Sequence, residues 1–119
     1  MSFNMVTVAI TTVDSPADTT TVEGHYCFVP SGVQWPSIDG DSVIVPAVIQ
    51  GPLTNGTANV SLLASDNFAS GILTWNVLIN IRGIPTINVA DVPVNFSDGA
   101  SQNIFTILTN NAGWTPVQT

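Results

Sequence analysis

Thr74-Trp75-Asn76-Val77-Leu78-Ile79-Asn80-Ile81-Arg82 is the stretch on which the fold turns. Successive side chains of an extended chain point to opposite faces. Trp75, Val77, Ile79 and Ile81 therefore share one face, and Thr74, Asn76, Asn80 and Arg82 occupy the other. A helix would scatter those four apolar side chains around its circumference. The stretch predicts a strand with one buried face, and the bulk of Trp75 places it in the middle of a sheet.

The same period of two recurs on both sides. Met5 to Thr12 puts Val6, Val8 and Ile10 on one face, and Gly24 to Val29 makes Tyr26 and Phe28 the bulky face of a second strand closed by Pro30-Ser31-Gly32. Val43 to Gln50 reads as a strand interrupted by Pro46, which cannot donate to a ladder and so marks an edge or a bulge. Asn55-Gly56 tolerates the positive φ of a type I′ turn and is the best hairpin signal, leading into Thr57 to Ala64. Thr86 to Ala90 follows the Gly83-Ile84-Pro85 turn, and Asn103 to Leu108 reads as the last strand. Asn110 to Thr119 has no strand periodicity. The sum is an all-β domain, an Ig-like or transthyretin-like β-sandwich of about seven strands over residues 1–109, with a C-terminal tail at 110–119. No stretch longer than ten residues carries a helical period.

Composition narrows the function. Of the 119 residues, 45% are apolar, enough for one core without disulfide or metal, but only 8% are charged, against about 25% in ordinary soluble domains. Arg82 is the sole basic side chain besides His25, and the net charge is −7. Nucleic-acid binding needs clustered Lys and Arg, so it is excluded, as is docking on an anionic membrane. No run approaches the about 20 apolar residues of a membrane-spanning helix. The start, Met1-Ser2-Phe3-Asn4-Met5, lacks the basic flank and apolar run of a secretory signal, so the expectation is a chain made in a cytoplasm and used unprocessed.

The residues able to carry chemistry do not converge. His25 and Cys27 are two apart and share a strand face, but a Cys–His dyad needs an orienting third group and an oxyanion site, and the sequence marks neither. One His and one Cys cannot make a zinc site, and the lone Cys27 cannot form an internal disulfide. Asp39-Gly40-Asp41 lacks the ligand spacing of a calcium loop, and Asp14 and Asp18 flank Pro16 in another turn. No facing carboxylate pair suggests glycosidase chemistry. The sequons at Asn55, Asn59 and Asn95 are chance products of an Asn- and Thr-rich chain. The expectation is no enzyme, no cofactor and no metal. Trp35, in the long connection between Val33 and Pro36, and Trp114, in the tail, lie outside the strands and are candidate interface anchors. Trp114 is expected to dock in a groove of a neighbouring subunit, the alternative being that it folds back on its own sandwich.

The order of motifs over residues 24–108 resembles a β-sandwich module of minor tail proteins from phages of actinobacteria. Gly24 to Ser31 (GHYCFVPS) resembles its G-x-V-x-F-x-P-S strand, and Val43-Ile44-Val45-Pro46-Ala47 matches its V-I-V-P-A stretch letter for letter. Leu53-Thr54-Asn55-Gly56 fits L-x-x-N-G, Leu62 to Asn67 lies close to L-L-A-T-D-D, and Ile72 to Val77 stands where the module has G-W-T-Y-x-V. The later strands depart, with Arg82 alone where the module is rich in Arg and Glu, and Thr86 to Pro93 replacing Y-x-I-x-L-P. The module has no catalytic residue to carry over.

The resemblance implies a non-enzymatic structural component of a bacteriophage virion, a minor tail protein of the tail tip or fibre region. It would be synthesised in the bacterial host cytoplasm and assembled with other virion proteins and copies of itself in a symmetric array. A capsid decoration protein on the head is the first alternative. A glycan-binding or adhesive module reading host glycans through Trp35 is the second.

Overall fold

The computed structural model describes residues 4–12, 22–31, 47–69 and 72–115. The deciding stretch is a strand, Thr74–Ile81, and it lies inside a four-stranded antiparallel sheet. In chain order the described elements are β1 (Met5–Thr11), β2 (Gly24–Ser31), β3 (Ile49–Pro52), β4 (Thr57–Leu63), β5 (Thr74–Ile81), β6 (Ile87–Val92), β7 (Ser101–Asn103) and the helix α1 (Ile104–Ala112). The strands form two sheets, ordered β4-β1-β7 and β3-β2-β5-β6. All pairs are antiparallel except β1 with β7, which run parallel.

One core lies between the sheets. Val6, Val8 and Ile10 of β1 and Leu62 of β4 face Phe28 of β2 and Trp75, Val77 and Ile79 of β5, and all are buried. Trp75 is 1% exposed, and its indole Nε1–H donates to the carbonyl of Leu63 in the opposite sheet at 3.0 Å. The ring thus fills the core while its one polar atom ties the two layers together.

β6 shows how the alternation is kept when the sequence breaks it. Ile87 and Val89 point inward, so strict alternation would turn Asp91 into the core. The register instead shifts between Val77↔Val89 and Trp75↔Val92, so that two residues oppose one. Asp91 takes φ 57°, its N–H donates to Asn76 Oδ1 at 3.0 Å, and Val92 becomes fully buried in its place. The bulge keeps a carboxylate out of the core at the cost of local ladder regularity.

Two expectations need correction. Asn103 to Leu108 is not a strand: only Ser101–Asn103 pairs with β1, and the chain then turns helical. Ile104, Ile107 and Leu108 are spaced for one helical face and are buried on the core. Asn103 caps the helix by accepting the Phe105 N–H at 2.9 Å, and Gly113 at φ 69° ends it, its N–H and that of Trp114 both reaching Leu108 O. Consequently the boundary placed after residue 109 falls inside α1. Asn55-Gly56 does form a turn with φ 53° and 75°, but its arms separate after a single bridge, Thr54↔Thr57, and enter different sheets. Of the strand expected over 43–50, residues 43–46, Pro46 included, lie outside the described residues; the described strand is Ile49–Pro52, at the sheet edge.

Candidate functional site

His25 and Cys27 stand on the outer face of the four-stranded sheet. Across the ladder His25 sits between Pro52 of β3 and Asn80 of β5, and Cys27 between Gln50 and Leu78. No acidic side chain flanks either residue across the strands, so nothing at those positions would orient the imidazole as a base. The thiol and the imidazole share one strand face, with neutral neighbours across the ladder. Among the described residues no group of three or more His, Cys, Asp and Glu side chains could hold a metal ion. Asp14, Asp18, Asp39, Asp41 and Trp35 lie outside the described residues.

The same face is notable for what it carries. Its outward positions are His25, Cys27 and Val29 on β2, Asn76, Leu78 and Asn80 on β5, Gln50 on β3, and Asn88 on β6. Leu78 is 38% exposed and Val29 37%. Leu78 pairs directly with Cys27, and Val29 lies diagonally from Leu78. Asp91, turned outward by the bulge of β6, adds a carboxylate at one end of this face, where its Oδ1 accepts from the hydroxyls of Ser31 and Thr74 at 3.4 Å each. The alternation argument placed only polar residues on this side of β5 and passed over Leu78. The signal was its position between Val77 and Ile79, where an apolar residue out of phase must face outward.

Trp114 is half-buried against its own chain. Its ring lies over Phe105 of α1, with centroids 5.9 Å apart, and both pack on the edge of the core. Phe105 precedes Trp114 by nine residues, and the left-handed Gly113 turns the chain back so that the two rings meet. Any neighbour docking here would therefore cover the outer side of a ring pair already assembled.

Arg82 is paired as well, its guanidinium 2.8 Å from Glu23 with both side chains largely exposed, which leaves no basic patch around it. Asp66 has a shifted titration. Its two oxygens accept the N–H groups of Phe96 and Ser97 at 2.9 Å each, opening the 3-10 turn Phe96–Asp98. Desolvation, the largest single influence, pushes its pKa up. The Phe96 and Ser97 backbone donors, the Ser97 hydroxyl and its own amide outweigh that and hold it below the usual carboxyl value. The group is a structural clamp between two loops. No helix among the described residues is long and apolar enough to cross a membrane.

No family, curated protein or solved structure matches this chain. The functional reading therefore rests on the residues themselves and on the surfaces they build.

Proposed function

We propose that this protein is a non-enzymatic structural component of a bacteriophage virion, acting in the tail tip or fibre region as a minor tail protein. The observation that carries the reading is where the motifs resembling minor tail modules fall. GHYCFVPS is β2, the Leu53 to Gly56 motif is the turn between sheets, Leu62-Leu63-Ala64 closes β4, and Thr74-Trp75-Asn76-Val77 opens β5. β2 and β4 meet Trp75 of β5 through the Pro30 pairing and the Leu63 carbonyl, and the turn lies at the far end of the same strands, so the resemblance covers the framework of the sandwich rather than scattered surface letters.

Strand order favours a transthyretin-like sandwich over an Ig-like one. A constant-type Ig domain joins its first, second, fifth and fourth strands in one sheet and the third, sixth and seventh in the other. Here β1 pairs with β4 and β7, while β3 and β6 flank the β2/β5 pair. The outer face of that second sheet, where Leu78 and Val29 are exposed diagonally across β5 and β2, is the surface offered to a neighbouring subunit.

Immunogold electron microscopy, with antibody to this chain on particles from the culture that carries its coding sequence, tests the proposal. Gold at the tail tip or fibres is the expected result. Gold over the head would make the chain a capsid decoration protein, and unlabelled particles would remove the virion reading altogether.

A further inference from the structure

Where β7 runs into α1 the surface opens into a cleft of about 400 Å³. Asp98, Ser101 and Gln102 wall it on the strand side, and Thr106, Asn110 and Asn111 on the helix side. The volume is at the lower end of the range for small-molecule sites, but such sites are lined mainly by apolar and aromatic side chains. This one is lined by amides, hydroxyls and one carboxylate. Ile107, its only apolar wall, is 2% exposed and belongs to the core.

Several of these groups are held in place by bonds to the fold. Gln102 Nε2 donates to the carbonyls of Asn95 and Gly99, at 2.7 Å each. Asn111 Nδ2 donates to Pro93 O at 3.1 Å. Asn103, which also lines the cleft, spends its Oδ1 on capping α1. An amide fixed through one end keeps its other end free to bond, so Gln102 and Asn111 retain an acceptor and Asn103 retains a donor. Thr106 and Asn110 are exposed and one helical turn apart, so they present a hydroxyl and an amide along the same wall. Fixed donors and acceptors interleaved in this way suit a ligand whose own groups both donate and accept.

Charge narrows the ligand further. The cleft holds a carboxylate and no cation, and Arg82, the only Lys or Arg of the chain, is engaged by Glu23. A phosphorylated, sulfated or carboxylated ligand would meet repulsion with nothing to offset it. We propose that the cleft between β7 and α1 binds a short neutral saccharide through its hydroxyl groups. The inference is independent of the virion reading, and it places sugar recognition on this wall rather than at Trp35.

The test uses the full chain labelled with ¹⁵N, titrated with glucose, galactose, N-acetylglucosamine, maltotriose and chitotriose, and with sodium phosphate as the anionic control. At least one sugar should shift the backbone amides of residues 98–111 and the side-chain amides of Gln102, Asn110 and Asn111. The shifts should saturate with a Kd of about 1–10 mM, and phosphate should leave those signals unmoved. Thr106→Leu and Asn110→Leu, each at an exposed position, should weaken binding about tenfold or more with the melting temperature unchanged. If one of them fails to fold, the other still decides. No sugar shifting these signals, shifts confined to other residues, or binding indifferent to both variants would each overturn the proposal.

Discussion

Replacing Trp75 tests whether the two sheets depend on one side chain as the packing implies. The ring is 1% exposed, so Trp75→Ala removes nearly all its buried area and leaves a cavity between the layers. Truncations of this kind cost about 3–5 kcal/mol. The unfolding entropy of a domain is about 2.1 cal/mol/K per residue, which over 119 residues makes a loss of about 4 kcal/mol a fall of roughly 16 °C in Tm. Trp75→Phe separates the two roles of the ring. Phenylalanine keeps much of the apolar contact but cannot donate to Leu63 O, so it should cost about 1–3 kcal/mol for the carbonyl left without its partner. Urea unfolding followed by far-UV circular dichroism, with the slope unchanged among variants, measures both losses. A cost below about 1 kcal/mol for Trp75→Ala, the scale of surface changes, would refute the assignment of Trp75 as the central packing residue.

Other variants probe the local devices. Asn103→Ala removes the cap of α1 and should lower stability by about 1 kcal/mol, whereas Asn103→Asp should restore most of it. Gly56→Ala should cost more than about 1 kcal/mol in the same unfolding assay, because φ is 75° and the added Cβ would lie 2.6 Å from Thr12 Oγ1. The lowered pKa of Asp66 means its clamp stabilises the fold above the ordinary carboxyl range, and that share is lost as pH falls through the folded-state value. Asp66→Asn should therefore lower the urea midpoint at about pH 7 and change it little at about pH 2. Replacing His25 and Cys27 together with serine should leave Tm near normal; loss of a hydrolytic or redox activity in the double variant would reveal a site on that face.

The strands were legible wherever alternation was strict and its apolar members bulky, as in β1 and β5. Legibility failed where the pattern carried two meanings. Ile104-Phe105-Thr106-Ile107-Leu108 has apolar pairs on either side of one polar residue, which fits a strand loosely and a helical face better. The asparagine before it and the glycine after it were the helix signals. β6 was found, but its bulge was not, because only the competition between Asp91 and Val92 for the core reveals it. Asn55-Gly56 announced its turn correctly, yet a turn does not state whether its arms stay in one sheet. The cleft was hidden for a different reason: its walls come from the loop at Asp98, from β7 and from α1, and reading residues 103–108 as a strand left no helix to form one side.

The parallel pairing of β1 with β7 sets how the domain meets tension. Thr7, Val8 and Ala9 lie opposite Ser101, Gln102 and Asn103, so the first and last strands are direct neighbours running the same way. A pull on the chain before β1 and after β7, in opposite directions, slides these strands along each other. Their hydrogen bonds are then strained together in shear, not opened one at a time from an end. Once α1 has unravelled, the force arrives at this short pair and passes through β1 to its seven-position ladder with β4. Resistance to stretching is then governed by the rate at which this junction yields, and not by the equilibrium stability of the whole domain.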